Sequence, residues 1–141
     1  MACTDMGTDD RISISGHWTG RYEYGLGAEP VPFEAVIAEA AGQLLGDITE
    51  PNTFHRDMGA ELTATLMGQR TGHDVYFRKT YDGFDQGDDP VYEGQLNSAM
   101  TRILGRWRFP KSPALSGRFM MVRAVDISSR KETAVEAEAL H

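Results

Sequence analysis

Cysteine is almost absent from this chain. One thiol, Cys3, in 141 residues cannot close an internal disulfide, so the covalent staples of small secreted domains are excluded. The opening MACTDMGTDD has neither the basic nor the apolar region of a signal peptide, and cytoplasmic residence is the default expectation. Long apolar runs are missing too. None approaches the roughly 18 residues that a membrane-crossing helix needs, so a soluble protein is expected. Positive charge is scarce: 14 Lys and Arg against 21 Asp and Glu leave a net charge of −7. Binding to nucleic acid or to an anionic membrane needs a clustered excess of cations, so the expected partners are small molecules or other proteins. Nucleophile-elbow, phosphate-loop and dinucleotide signatures are absent, and the scattered histidines supply no zinc-ligand spacing. No cofactor and no metal are expected.

What the chain does have is glycine, 15 of them, and many short runs in which apolar and polar residues alternate. That period of two is the signature of half-buried β-strands. The first is the clearest, with Ile12, Ile14, Gly16, Trp18, Gly20, Tyr22 and Tyr24 on one face and Ser13, Ser15, His17, Thr19, Arg21 and Glu23 on the other. A second strand (31–40) turns at Ala41-Gly42 into a third carrying Leu44, Gly46, Ile48 and Glu50; a fourth (61–69) turns at Gly72-His73 into a fifth carrying Val75, Phe77, Lys79 and Tyr81. A sixth (91–96) bears Tyr92, a seventh bears Ile103, Trp107 and Phe109, and an eighth runs from Gly117 to about Ala124. Three arginines, Arg102, Arg106 and Arg108, set the outward face of the seventh, because such residues are almost never buried unpaired.

Eight sequential strands with short connections predict an all-β fold, an eight-stranded antiparallel up-and-down β-barrel, with a two-sheet sandwich as the main rival. Repeated mid-strand glycines favour the barrel, since sharp coiling needs positions without a side chain. The expected organisation is a disordered N-terminus (1–11), a barrel domain (12–124) and a C-terminal tail or short helix (125–141), where Ser129 and Glu132 form a capping-box pattern. In such a barrel the connections after the odd strands gather at one end. Those are long here (25–30, 51–60, 82–90, 110–116), whereas the others are tight turns. Inward residues near the tight end are aliphatic: Ile12, Ile14, Ile37, Leu44, Leu66, Val75, Leu96 and Ile103. Near the long loops they become aromatic and polar: Tyr22, Tyr24, Phe33, Glu50, Lys79, Tyr81, Tyr92, Phe109 and Phe119. That end is the expected ligand mouth, with Tyr22, Tyr24, Phe33, Glu50, Lys79, Tyr81, Tyr92 and Phe109 as candidate binding residues. A barrel of this size is just wide enough to hold one ligand or to fill with its own side chains, and both outcomes stay open.

Gly16-His17-Trp18 on the first strand, with Arg123 on the last, resembles the Gly-x-Trp and late arginine of the calycin superfamily, in which the arginine packs across the tryptophan and closes the barrel base. The spacings Gly42-Gln43-Leu44-Leu45-Gly46, Val75-x-Phe77-x-Lys79, Tyr92-x-Gly94 and Ile103-x-Gly105-x-Trp107 are similar to those of the avidin and streptavidin barrels over residues 12 to 124. The resemblance implies a fold and a pocket position. It does not carry biotin binding, because Gly20 stands where that family has its ligand-bonding asparagine and the late aspartate is missing. Fold alone does not fix function.

Glu50 and Lys79 read either as ligand clamps or acid and base, or as a structural ion pair at the rim. His55, in the longest loop beside Phe54, Arg56 and Asp57, reads as a solvated loop histidine rather than a catalytic one, as no nucleophile is fixed near it. Asp82, Asp85, Asp88 and Asp89 fail the EF-hand pattern and read as a solvated loop. On the outer face Leu104, Met120 and Val122 form an apolar patch to be covered by the C-terminal segment, through Val135 and Leu140, or by another subunit; a homodimer is one expectation. Three functions follow: a non-catalytic binder of a small, partly aromatic or apolar molecule, a cofactor-free cyclase or isomerase, and a filled barrel acting as a protein-interaction module.

Overall fold

A computed structural model describes residues 13–25, 27–53 and 55–124. The expectations for residues 1–11, for Ile12 and for a helix or tail over 125–141 lie outside the described residues. Eight strands occur in chain order: β1 (Gly16–Tyr22), β2 (Val31–Ala40), β3 (Gln43–Pro51), β4 (Glu61–Thr71), β5 (Asp74–Tyr81), β6 (Val91–Leu96), β7 (Arg102–Phe109) and β8 (Ser112–Arg123), with one 3₁₀ turn at Arg56–Met58. Each pairs antiparallel with its sequence neighbour, and β1 pairs with β8, so the sheet closes into a barrel with no free edge. The sandwich alternative is excluded.

Period-two alternation is carried through to packing. In β2, Val31, Phe33, Ala35 and Ile37 are buried while Pro32, Glu34, Val36 and Ala38 face out; β5 repeats the pattern with Val75, Phe77, Lys79 and Tyr81 inside. The β2–β3 connection is a two-residue turn in which Ala41 and Gly42 both take positive φ (51° and 80°), the backbone twist that matches a right-handed hairpin. Gly105 marks a close strand approach. A Cβ there would lie 2.0 Å from the Glu93 carbonyl oxygen and 2.5 Å from the Gly94 Cα, so β6 and β7 can coil this tightly only without a side chain at that position.

The tight-turn end is a sealed base. Trp18, fully buried, donates its indole N–H to the Ile14 carbonyl at 2.9 Å, and the Arg123 guanidinium lies over the Trp18 ring, 5.8 Å from its centroid, while its Nη2 donates to the Ser15 carbonyl at 2.6 Å. Glu39 ties the segment before β1 to the barrel: its carboxylate accepts the Ile14 N–H (2.9 Å) and the Arg70 Nε–H (2.8 Å). Asn97 shapes the β6–β7 turn by accepting the Thr101 and Arg102 amides, and this turn buries Met100.

One connection departs from expectation. The region 110–116 is not a long loop: β8 begins at Ser112, and Pro110-Lys111 make a tight turn with a register shift at Arg108/Phe109. The irregular composition Pro-Lys-Ser-Pro disguised a strand whose outward residues are all exposed. Three long connections (23–30, 52–60 and 82–90) therefore surround the opposite end.

Candidate functional site

The strand phases that expose Arg102, Arg106 and Arg108 also turn Glu50 and Lys79 inward. Glu50 is the penultimate residue of β3 and Lys79 stands two residues before the end of β5, so both project near the long-loop end. They are not at the rim. Glu50 is 1% exposed and Lys79 2%, the two most deeply buried charged residues among the described ones. The Lys79 ammonium donates to Glu50 Oε1 in a direct ion pair. The other carboxylate oxygen, Oε2, accepts the Tyr22 hydroxyl at 2.7 Å and the Tyr81 hydroxyl at 3.0 Å. The same two rings face the ammonium, whose Nζ lies 4.6 Å from the Tyr22 centroid and 4.5 Å from that of Tyr81.

This geometry answers the cost of burial. An ion pair taken out of water is tolerable only when the remaining lone pairs and protons find partners. Here one carboxylate takes three donors and one ammonium takes a carboxylate and two π-faces. Burial lowers the Lys79 pKa, and the Glu50 charge and hydrogen bond oppose that shift. Burial and then the Glu50 charge push the hydroxyls of Tyr22 and Tyr81 far above the usual tyrosine range, so both stay protonated and act as donors. The cluster as a whole is neutral.

Tyr92, 3% exposed, completes the inner wall by a different route. Its ring stacks flat on Phe77, with centroids 4.8 Å apart and planes at 8°, and meets Phe119 edge-on at 5.0 Å. Burial raises its pKa well above the ordinary value, with Glu50 and Tyr81 adding to the shift. Its hydroxyl forms no hydrogen bond with any of the described residues. The other inward polar groups are bonded: Trp107 donates to the Glu23 carbonyl at 3.1 Å, and Trp18, Tyr22, Lys79 and Tyr81 have the partners given above.

The remaining candidates line the approach. Phe33 is buried, its ring 6.2 Å from that of Tyr22, and fills the space in front of Gly20: a Cβ at Gly20 would meet Phe33 Cζ at 2.4 Å and the Met120 carbonyl oxygen at 2.8 Å. A side chain at Gly20 would require both Phe33 and the β8 backbone to move. Tyr24 lies just beyond β1, 47% exposed, with its ring edge-on to Tyr22 (5.6 Å) and Trp107 (5.4 Å), and is a rim residue rather than an inner one. Phe109 is half-buried against Trp107.

Sequence reasoning does not count Trp107, Phe84, Met58 or His55 among the binding residues of this end. Trp107 was in inward phase with Phe109 and could have been included. The other three sit in loops, where no periodicity exists to read. Phe84 stacks on Tyr81 (5.2 Å, 20°) and on His55 (4.4 Å), and Met58 reaches Gly83, so the connections 52–60 and 82–90 pack over one side of the mouth. Asn52 holds the first of them: its Oδ1 accepts the His55 amide at 2.7 Å and its Nδ2 donates to the carbonyls of His55 and Gly59. His55 is half-buried; its Nδ1 is buried and has no hydrogen-bond partner among the described residues.

The acidic loop is fixed by its own carboxylates. Asp82 accepts the Thr65 hydroxyl, Asp89 that of Thr80, Asp85 the Gly87 amide and Asp88 the Lys111 amide. Among the described residues no group of three His, Cys, Asp or Glu side chains is placed to hold a metal ion. By sequence, the chain matches no protein-family model and no curated protein.

Proposed function

We propose that the protein is a non-catalytic binder of a small, uncharged, partly aromatic molecule held at the long-loop end of the barrel. The observation that carries this reading is the Tyr92 hydroxyl, on an inward residue only 3% exposed, which makes no hydrogen bond with the described residues although Tyr22, Lys79, Tyr81 and Trp107 around it are bonded. A ligand carbonyl or hydroxyl placed beside that free donor would gain about 1 kcal/mol net. Net neutrality of the Glu50–Lys79 cluster favours an uncharged guest, since a charged one would be desolvated with no counter-ion left to meet it. The aromatic wall of Tyr22, Tyr24, Trp107 and Phe109 favours a planar one.

The Trp18–Arg123 contact at the base further supports kinship with calycin barrels, closest in spacing to the avidin-like ones and without their biotin site. A cyclase or isomerase is the weaker reading. Glu50 is 1% exposed and three of the about four lone-pair sites of its carboxylate already carry donors, which disfavours it as the base that takes a substrate proton. The test uses Nile red, a planar neutral dye with a carbonyl acceptor, alongside native mass spectrometry of freshly purified protein. Saturable dye binding is expected, weakened about fivefold in Tyr92→Phe, the worth of one net hydrogen bond of about 1 kcal/mol. An absence of any retained small molecule together with dye fluorescence unchanged by the protein refutes the proposal.

A further inference from the structure

The outer wall of the barrel is divided by charge in a way that the interior does not explain. On β7, β8 and β1 the outward positions carry Arg102, Arg106, Arg108, Arg118 and Arg21, all exposed. Arg108 pairs with Glu93, but Arg21, Arg102, Arg106 and Arg118 have no ion-pair partner among the described residues. Arg106 and Arg118 even stand directly opposite each other in register. Like charges so placed destabilise a sheet, and a chain of net charge −7 had acids in plenty to put there. These arginines surround an apolar centre, Leu104 opposite Met120, with Leu104 54% exposed.

The diametrically opposite wall carries the complement. In a ring of eight strands, β3 lies across from β7 and β4 from β8. There Leu45 stands opposite Met67, 55% and 61% exposed, with Val36 diagonal to Leu45; the carboxylates of Glu34 and Asp47, neither in an ion pair among the described residues, flank the β2–β3 side, and Arg78 stands opposite Met67 on the β5 side. One wall is an apolar centre with a basic border. The other is an apolar centre whose β2–β3 border is acidic.

We propose that these walls bind each other, so that the protein self-associates head to tail, the β7–β8 wall of one copy on the β2–β4 wall of the next. A two-fold dimer would place like charges face to face, so the contact is heterologous, and because the two walls point in opposite directions the chain of copies grows rather than closing at two. Arginine around an exposed apolar centre is also the composition that interfaces favour.

Sedimentation velocity of the full chain, run over a wide concentration range at low and high salt, tests this. The weight-average mass is expected to rise past the dimer with concentration and to fall with salt, as screening of exposed charges requires. Arg106→Glu/Arg118→Glu and Glu34→Lys/Asp47→Lys, each confirmed folded by its thermal transition, should each weaken association about tenfold or more alone. Mixed in equal amounts they should regain it, because each then offers the wall that the other lacks. A wild-type chain monomeric at every concentration in low salt overturns the proposal, and crosslinks from its own residues beyond 124 to Arg106 or Arg118 would name the occupant of that wall instead. So do a mass that stops at the dimer, association indifferent to both charge reversals, and a mixture that fails to recover it.

Discussion

Replacing Lys79 by methionine keeps the length and apolar stem of the side chain and removes its charge. Glu50 then stays 1% exposed, with two tyrosine donors but no cation. Breaking a buried pair in this way costs about 3–5 kcal/mol. Glu50→Gln costs about the same for the converse reason: the amide oxygen still accepts Tyr22 and Tyr81, but its NH₂ faces the stranded ammonium. Either change is a large share of the roughly 5–15 kcal/mol that holds a domain together. The double variant Glu50→Gln/Lys79→Met buries no charge at all, and it retains an acceptor for both hydroxyls. It should therefore lie within about 2 kcal/mol of the parent, far from the sum of the single changes, about 6–10 kcal/mol.

Urea unfolding followed by tryptophan fluorescence and far-ultraviolet circular dichroism reads this cycle, with an unchanged m-value certifying the same two states. If a single variant is already unfolded without denaturant, recovery of a cooperative transition in the double is the signal. Glu50→Leu/Lys79→Met is the control, because it removes the acceptor that both hydroxyls share and should cost about 1–3 kcal/mol more than the glutamine double. Additive single effects would refute the reasoning. They would mean that Glu50 and Lys79 are each solvated independently and that the buried network does not exist in solution.

Alkaline pH provides a second measurement. Tyr22, Tyr81 and Tyr92 hold their protons far above the ordinary 10.0 when folded, so the unfolded chain loses protons first and stability falls as pH rises above 10. Lys79 acts in the opposite sense. Its lowered folded value means that the unfolded chain binds more protons just below 10.5, where its contribution rises with pH. Tyrosinate absorbance of Tyr22, Tyr81 and Tyr92 should accordingly appear in one cooperative step that coincides with unfolding, and Tyr92→Phe should flatten the loss of stability; titration of these three below the unfolding pH contradicts the burial. Gly105→Ala should destabilise by about 2 kcal/mol or more, because its Cβ would meet backbone atoms that cannot rotate away, and a urea midpoint equal to the parent's would show that β6 and β7 approach less closely.

The barrel, its strand order and its polarity were legible in the sequence because each rests on a period of two that few residues break. Arginine on β7 fixed one face, and phase carried that assignment to Lys79, Tyr81 and Tyr92 without further assumptions. Depth was not legible. Phase says which side of the sheet a residue faces and nothing about how deep it lies, so it reads Glu50 and Lys79 as rim residues although they are 1% and 2% exposed. The partial burial of His55 escapes it for the same reason: it is set by Asn52 and Phe84, neither of which shares a periodic element with it. The strand at Ser112–Leu115 was read as loop because all four of its side chains are exposed, which removes the alternation by which strands are recognised.

The two ends of the barrel are stabilised by different means, and the difference bears on where a ligand can act. At the base the buried groups are apolar or doubly satisfied: Trp18 is bonded and covered by Arg123, and Glu39 is shared between a backbone amide and Arg70. Nothing there gains by meeting another molecule. At the mouth the wall holds a second, deeper ion pair, whose desolvation cost well-packed leucines in the same volume would have avoided, together with the buried His55 Nδ1, which has no partner among the described residues, and the Tyr92 hydroxyl, which forms no hydrogen bond with them. A buried polar atom without a partner lowers stability, and among the described residues the one such side-chain atom lies at this end, where an interaction that the free protein does not make would satisfy it. Tyr92, which contributes its ring to the core and its hydroxyl to nothing, is the residue on which that argument turns.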